Sequence, residues 1–341
     1  MTESSSRRFS VIIPVYNRPD ELSELLACLS RQTYPPYEVI VVEDGSSVTS
    51  RHVIESFRSR LPLFYYEKPN EGQGFTRNYG MARATGDFFI ILDSDALLEP
   101  GYLKIVNDYL NSHPVDVYGG PDTDHPDFTP VQKAISYAMT SLFTTGGIRG
   151  KKKNLGGAFH PRSFNMGLSR EVWEKTGGFR VTRMGEDIIF SIGAIRQGFR
   201  TALIPEAFIY HKRRTRFSQF FRQLRFFGRA RINIARYYPE ELKAVHFFPA
   251  VFFSGLVATL FLAFFSPALF KIASALYGFY FLVIFLDALR HTRHIKVAAL
   301  SIMASVCQLS AYGIGFIEEG WKRIREPEGV KYTGANLDYP T

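Results

Sequence analysis

The sequence predicts an α/β fold, with a doubly wound and mostly parallel sheet, followed by a C-terminal α-helical membrane region. Three observations indicate this. Over the N-terminal part of the chain, short apolar runs alternate with helical repeats and end in polar residues, and apolar residues are almost continuous at 247–285. Alternating strands and helices favour a parallel sheet, and a long apolar run favours lipid.

The first strand is predicted at Phe9–Val15, an apolar and β-branched run. The polar residues that follow include Pro19, which suits the first turn of a helix. Leucines at 22, 25, 26 and 29 then recur at helical spacing. The chain therefore begins with a strand, a turn and a helix.

The second strand is predicted at 38–42, where another apolar run ends in Glu43-Asp44-Gly45-Ser46. The pattern then favours a helix around 48–57 and a short strand at 63–66. An Asx-turn formed by Asp44 with the next two residues is one interpretation of this polar stop.

A third helix is predicted to open at Gly72-Gln73-Gly74 and to carry Arg77, before a strongly apolar strand at 87–92. Ligands of such sheets bind beyond the carboxyl ends of the strands. We therefore expect Asn17, Asp44 and Asp93, which all follow strands, to converge. Beyond a helix at 101–110, Gly-rich loops are expected at 119–121 and 146–157.

The basic segment 212–236 contains nine Lys and Arg residues and no acidic residue, in a chain of formal net charge +9. Its phenylalanines and one leucine recur at helical spacing, which predicts a basic amphipathic interface helix at 216–240. Beside an apolar run, such a helix indicates anionic lipid headgroups or phosphates rather than nucleic acid.

The membrane region is predicted at 241–320, with two to three transmembrane helices, and a polar tail at 321–341. Segment 247–270 is uncharged and long enough to span, 272–286 is shorter, and 297–317 is rich in small residues. The chain holds two cysteines in unrelated segments, and its first residues lack the apolar core of a signal peptide. A membrane protein with its catalytic domain in the cytoplasm is therefore expected.

Asp93-x-Asp95 is the strongest chemical signal. Two carboxylates at one strand end favour a hard cation, Mg²⁺ or Mn²⁺, which also binds substrate phosphates. The alternative is a polar turn that caps the next helix.

The order of motifs resembles the family-2 glycosyltransferases of the Rossmann-like GT-A fold, over roughly residues 9–236. The segments that carry this resemblance are Val11-Ile12-Ile13-Pro14-Val15-Tyr16-Asn17, Val41-Val42-Glu43-Asp44-Gly45-Ser46, Thr76-Arg77-Asn78-Tyr79-Gly80, Leu92-Asp93-Ser94-Asp95, Gly177-Gly178-Phe179 and Gly185-Glu186-Asp187. The catalytic domain is accordingly placed at 1–215.

The resemblance implies a role for each matching residue. The nucleotide-sugar donor is expected at Pro14, Tyr16, Asn17, Asp44, Arg77, Asp93 and Ser94, the metal at Asp93, Asp95 and His211, and the acceptor at Glu186, Arg222 and Arg225. Asp187 is expected to be the general base, with Glu186 able to raise its pKa. Alternatively, Asp187 only caps a helix, His211 is structural, and the two arginines bind anionic lipid.

The implied function is an inverting, metal-dependent transfer of sugar from a nucleoside-diphosphate sugar, with UDP as the expected nucleotide. The acceptor is expected to be a polyprenyl-linked intermediate or glycolipid in cell-surface glycan synthesis. A processive polysaccharide synthase and a catalytically silent membrane scaffold are the alternatives. Three spans are favoured because 312–316 resembles a last membrane segment of relatives, although they would send Lys322, Arg323 and Arg325 outside. The alternative is that 297–317 is re-entrant or packed flat.

Overall fold

The computed structural model describes residues 7–123, 125, 127–145, 159–211, 213–327 and 329–334. The chain forms two compact units. The first contains the described residues up to His125 together with 159–211 and 333–334, and the second contains 127–145 and the described part of 213–332. The predicted loop at 146–157, with Arg149 and Lys151–Lys153, lies outside the described residues.

The first unit contains a seven-stranded sheet in the order β3-β2-β1-β4-β8-β6-β9 and a three-stranded sheet in the order β5-β10-β7. The strands are β1 Phe9–Val15, β2 Glu38–Asp44, β3 Leu63–Lys68, β4 Phe88–Leu92, β5 Ala96–Leu97, β6 Val117–Gly119, β7 Asp122–Thr123, β8 Asn165–Ser169, β9 Thr201–Leu203 and β10 Ile209–His211.

The helices of both units follow in chain order. They are α1 Pro19–Leu29, α2 Arg51–Phe57, α3 Gln73–Met81, α4 Tyr102–Ser112, α5 Pro130–Thr140, α6 Leu142–Thr145, α7 Arg170–Thr176, α8 Glu186–Arg196, α9 Phe217–Tyr237, α10 Phe248–Phe265, α11 Pro267–Thr292 and α12 Ile295–Arg325.

The main sheet is mostly parallel, as predicted. β1 pairs in parallel with β2 and with β4, and β2 pairs in parallel with β3. β8 is antiparallel to both of its neighbours. Its five residues include Asn165 and Gly167 and lack the apolar run of a buried strand, so the sequence pattern missed it.

Both faces of the sheet are covered, which makes the fold doubly wound. Alternate residues of β1 point to opposite faces. Val11 and Ile13 belong to a core cluster that includes Leu22 and Leu25 of α1. Ile12 belongs to a second cluster, with residues of α3, α7 and α8. This arrangement leaves the carboxyl edge of β1, β2 and β4 to the loops that follow them.

The second unit is helical, and α9 packs against α12 within it. Phe220 and Leu224 of the predicted amphipathic stripe are buried in a cluster with residues of α5 and α12. A Cβ on Gly228 would lie 2.1 Å from the carbonyl oxygen of Tyr312 on α12, so the two helix backbones are in close contact. The apolar stripe of α9 therefore packs against protein.

Among the described residues, three helical segments are long and apolar enough to cross a membrane, namely Ala244–Phe265, which contains α10, and helices α11 and α12. The uncharged segment 247–270, predicted as one span, is instead divided at Ser266. α10 ends at Phe265 and α11 begins at Pro267. Proline suits the first position of a helix but disrupts a helix interior. The second apolar helix is consequently 26 residues long, not the short segment expected at 272–286.

Candidate functional site

The loop after β1 is joined to the loop after β2 by Asn17. Its side-chain Oδ1 accepts hydrogen bonds from the backbone N–H of Ser47 at 2.8 Å and of Val48 at 3.0 Å. Its own N–H donates to Ser46 Oγ at 2.8 Å. Asn17 has φ of 54°, a left-handed conformation that asparagine tolerates better than most residues. Two of the predicted strand-end loops are thus held together.

Pro14 and Tyr16 flank the end of β1. Pro14 lies opposite Val42 in the register of β1 and β2, and the Tyr16 side chain is exposed. Glu43 stabilises the neighbouring loop, where it accepts hydrogen bonds from Ser46 Oγ and from the N–H of Ser50. Since the Asp44 carboxylate is bonded to Lys68, Glu71 and Gly72 and not to Gly45 or Ser46, the loop is built on Glu43 rather than on an Asx-turn.

Asp44 is buried at the end of β2. Its Oδ1 accepts from the N–H of Glu71 and from Lys68 Nζ, both at 3.0 Å, and its Oδ2 accepts from the N–H of Gly72 at 2.9 Å. Gly72 has φ of +90°, and a Cβ there would lie 2.6 Å from Thr182 Oγ1. Asp44 therefore fixes the loop that opens α3.

Arg77 connects the strand-end carboxylate Asp93 with Glu186. Its guanidinium donates to Asp93 Oδ1 at 2.7 Å and to Glu186 Oε1 at 3.3 Å. The Arg77 side chain is 1% exposed, whereas that of Asp93 is 32% exposed. Gln73 Nε2 also donates to Glu186. The predicted donor-side and acceptor-side carboxylates thus share one buried cation.

Asp187 begins α8 beside Glu186 and is paired with Arg162. Arg162 Nε donates to Asp187 Oδ2 at 2.7 Å, and the N–H of Ile188 donates to Oδ1 at 2.8 Å. Both carboxyl groups are buried. Asp187 therefore accepts hydrogen bonds at both oxygens and faces a positive charge.

The two neighbouring carboxyl groups have opposite pKa shifts. Burial, followed by the negative charge of Asp187, raises the pKa of Glu186. Burial alone would also raise the pKa of Asp187, but the charge and hydrogen bond of Arg162 outweigh it and lower that pKa. The expected rise in the pKa of Asp187 caused by Glu186 is therefore wrong, because Arg162 provides the stronger interaction.

Asp95, the expected metal ligand, forms an ion pair with Arg18 NH1 at 2.7 Å. Ser94 is buried between the two aspartates of the motif. His211 is aligned with Ala96 in the pairing of β10 with β5, which places its backbone beside the residue that follows Asp95. The side chain of His211 lies outside the described part of the structure.

A divalent cation fits the donor set at this strand end. Among the described residues there is no group of three or more His, Cys, Asp or Glu that could hold a metal. Mg²⁺ in nucleotide sites is bound by one or two carboxylates with the remaining ligands from phosphates and water. Asp93 and Asp95 supply hard oxygen ligands of this kind.

Arg222 and Arg225, the expected acceptor ligands, lie on α9 in the second unit. Arg225 forms two hydrogen bonds with the carboxylate of Glu318, at 2.7 and 2.8 Å. In this structure its partner is thus a carboxylate of α12.

Arg18, Gln73 and Arg162 were missed by sequence reasoning. Arg18 immediately precedes α1, and Gln73 was noted only as part of a helix opening. Arg162 follows Pro161 in a segment with no regular pattern. Only the tertiary structure places these side chains against Asp95, Glu186 and Asp187.

Comparison with known protein families gives a match over residues 10–177 to the family described as Glycosyl transferase family 2. The poly(ribitol-phosphate) beta-N-acetylglucosaminyltransferase TarS of Staphylococcus aureus is 34% identical over 114 residues, which cover 32% of this chain and 20% of TarS. The validoxylamine A glucosyltransferase of Streptomyces hygroscopicus subsp. limoneus is 38% identical over 101 residues, which cover 28% of this chain and 22% of that protein. The chain thus spans about a fifth of the length of these relatives.

Among solved structures, the mannosyltransferase PcManGT from Pyrobaculum calidifontis, in complex with GDP-Man and Mn²⁺, has a similar fold. The TM-score is 0.64 at 17% sequence identity, and the superposition covers 94% of this chain and 89% of PcManGT. At this identity, the similarity defines the fold alone.

Proposed function

We propose, from the match of residues 10–177 to Glycosyl transferase family 2, that the chain transfers a sugar from a nucleoside-diphosphate sugar to a membrane-associated acceptor. The observation that carries the proposal is a pair of neighbouring carboxylate sites. In one, Arg77 pairs with Asp93 and Glu186. In the other, Arg162 pairs with Asp187. One site suits a diphosphate donor, and the other suits a hydroxyl acceptor.

On the donor side, Asp44 is positioned to recognise the base of the nucleotide. A carboxylate can accept about four hydrogen bonds, and the Asp44 carboxylate accepts three from the protein. One further N–H donor, such as the imide of uracil, completes the set. Asn17 keeps the loops after β1 and β2 together around this position, with Pro14, Tyr16 and Ser94 as further donor contacts.

Asp93 and Asp95 would hold Mg²⁺ or Mn²⁺ together with the donor diphosphate, with His211 as a further candidate ligand. When bound, the cation supplies charge neutralisation for the leaving diphosphate. Arg77 and Arg18 balance the two carboxylates. Binding of a cation and a diphosphate would exchange these protein ion pairs for contacts with the substrate.

On the acceptor side, Asp187 acts as the general base. The acceptor hydroxyl gives its proton to the Asp187 carboxylate while its oxygen forms a bond to C1 of the sugar. The bond from C1 to the diphosphate oxygen breaks, and its electron pair leaves with the nucleoside diphosphate. Attack from the face opposite the leaving group inverts the configuration at C1.

Arg162 keeps this base ionised. The lowered pKa of Asp187 ensures that its carboxylate is deprotonated near neutral pH and able to take a proton. Glu186, whose pKa is raised, is suited to hydrogen-bond the acceptor.

A lipid-linked or glycolipid acceptor is supported by the apolar helices of the second unit. The described part of the chain holds three helices long and apolar enough to cross a bilayer, so an amphiphilic acceptor would share the membrane with the enzyme. Arg222 and Arg225 are the proposed contacts for an acceptor diphosphate or for lipid headgroups.

The test is direct transfer of label. Membranes that contain the protein are incubated with a panel of labelled nucleotide sugars and Mn²⁺, and the lipids are extracted and counted. Label in the lipid fraction with wild type, and none with Asp187→Asn, supports the proposal. Folded protein that releases only free sugar, or that leaves every donor intact, argues for hydrolysis or for a silent scaffold.

A further inference from the structure

We propose that α10 and α11 form a two-helix hairpin that spans the bilayer and that α12 does not span it. The occupant of the exposed apolar surface of the hairpin is the acyl core of the membrane. The end of α12 then lies on the same side of the membrane as the catalytic domain. This inference is independent of the proposed chemistry.

The chain path requires an even number of crossings. The chain leaves the first unit after 211 and rejoins it at 333. There the carbonyl oxygen of Thr333 accepts hydrogen bonds from the N–H groups of Thr182 at 2.8 Å and Arg183 at 3.3 Å. Both ends of the intervening segment therefore lie on one side of the membrane. Because the chain must then cross an even number of times, at most two of the three candidate helices can span the bilayer.

The C-terminal part of α12 is fixed to α9, which precedes both hairpin helices. Glu319 of α12 forms ion pairs with Arg236 at 2.8 Å and with Arg229 at 3.1 Å, both on α9. The side chains of Arg236 and Glu319 are 3% and 2% exposed. A buried pair of this kind cannot be separated without leaving a charge unpaired. The end of α12 thus stays on the side of α9.

The start of α12 lies on the same side. α11 ends at Thr292, and α12 begins at Ile295. Ala298 of α12 packs with Ile284 and Ala288 near the end of α11. Since α10 follows α9, the hairpin returns the chain to the side of the membrane that it left. Both ends of α12 therefore lie on the side of the catalytic domain, which we call the near side.

Burial separates α12 from the two hairpin helices. Half of the most apolar 18 residues of α12 are buried within the protein, against 11% for those of Ala244–Phe265, which contains α10, and 6% for those of α11. The buried residues of α12 include Ser301, Ser305 and Gln308, which are polar and face protein neighbours. In contrast, Phe264 and Phe265 at the end of α10 are 85% and 81% exposed. A surface this apolar and exposed fits lipid rather than water.

The dimensions and charges fit a spanning hairpin. The 18 residues of α10 correspond to about 27 Å, close to the thickness of a bilayer core. Lys271, one turn into α11, is a basic residue near the tip of the hairpin, on the side of the membrane opposite the catalytic domain. The basic residues Arg290, Arg293, Lys296, Lys322, Arg323 and Arg325 all fall on the near side, as the positive-inside rule requires.

The test is labelling of single cysteines in full-length protein that carries Cys28→Ala and Cys307→Ala. Ser59→Cys marks the catalytic domain, and Ser266→Cys marks the tip of the hairpin. Gly320→Cys marks the end of α12, where an added Cβ meets nothing within 4 Å. Right-side-out and inverted vesicles are treated with a membrane-impermeant maleimide.

We expect Gly320→Cys and Ser59→Cys to be labelled in vesicles of the same orientation and Ser266→Cys only in the opposite orientation. Labelling of Gly320→Cys together with Ser266→Cys would overturn the placement of α12. Labelling of Ser266→Cys together with Ser59→Cys, or in neither orientation, would show that the hairpin does not cross.

Discussion

Arg162 Nε donates a hydrogen bond of 2.7 Å to Asp187 Oδ2, and this arginine lowers the pKa of the buried carboxyl group. The pair is at the first turn of α8, beside Glu186, whose pKa is raised. Two adjacent acidic residues thus have opposite pKa shifts, and the lowered pKa of Asp187 is due to a basic residue from another loop. Opposite pKa shifts suit the two groups to different roles in the proposed reaction.

Arg162→Gln is expected to shift the acid limb of the pH profile of kcat/KM to higher pH. Asp187 has a lowered pKa, so in the wild type it stays ionised as the pH falls through the mildly acidic range. Without the arginine its pKa rises, and the protonated, inactive fraction grows over that range. Each pKa unit corresponds to about tenfold in activity on the acid limb. Transfer rates measured across pH check this.

Arg200→Gln is the matched control for that substitution. Arg200 pairs with Asp116 at the surface, where its side chain is 66% exposed. We expect its pH profile to follow the wild type. An unchanged profile for Arg162→Gln as well would remove Arg162 from the ionisation of the base.

Asp187→Asn should lower kcat by about 10²–10⁴, the usual contribution of a general base. The amide keeps the shape of the side chain but cannot accept the hydroxyl proton. Donor affinity should change little, since Asp187 is assigned to the acceptor. Asp108→Asn, in an exposed pair with Lys104, controls for the substitution itself. Full transfer by purified Asp187→Asn would refute the assignment.

Transfer should require a divalent cation and depend on Asp95. We expect EDTA to abolish activity and Mn²⁺ or Mg²⁺ to restore it. Asp95→Ala should then need a higher Mn²⁺ concentration or stay inactive, because one carboxylate ligand is lost. Asp108→Ala should keep the wild-type Mn²⁺ titration. Undiminished activity in EDTA would contradict a metal-dependent mechanism.

Arg77→Ala should destabilise the catalytic domain as well as inactivate it. Its guanidinium is 1% exposed and binds two carboxylates, so its removal leaves Glu186 buried without its cation. The loss of one partner of a buried ion pair costs roughly 3–5 kcal/mol. Thermal unfolding should show a lower midpoint for this variant and little change for Arg58→Ala, whose pair with Glu55 is exposed. Equal midpoints would contradict this account.

Gly228→Ala should destabilise the helical unit. The added Cβ would lie 2.1 Å from the Tyr312 carbonyl oxygen, so α9 and α12 must move apart, at a cost of about 1–3 kcal/mol. Gly320→Ala places its Cβ in open space and should stabilise its helix by about 0.5–1 kcal/mol. Unfolding of both variants in detergent measures the difference. Similar effects in both would mean that the helices are not in close contact.

Local sequence signals were sufficient for the strands and loops that build the sheet edge. An apolar, β-branched run with a polar stop predicted β1 with the bounds observed, and the same reasoning placed Asp44 and Asp93 at strand ends. β8 was missed because its Asn and Gly residues carry no such signal. Its position depends on pairing with β4 and β6, which the local pattern does not encode.

The ion pairs of the site could not be read from the sequence. Arg18 and Arg162 lie 77 and 25 residues from their partners Asp95 and Asp187, and an arginine in a polar segment has no pattern of its own. The break at Ser266 was encoded, since Pro267 marks it, but the lack of charged residues from 247 to 270 led us to predict a single span.

Arg77 makes the charge states of Asp93 and Glu186 depend on each other. A single buried guanidinium contacts Asp93 and Glu186, so any charge that arrives beside the first changes the proton affinity of the second. By linkage the influence is reciprocal. Under the proposed function, binding of the donor beside Asp93 and of the acceptor beside Glu186 would therefore be coupled through this one guanidinium.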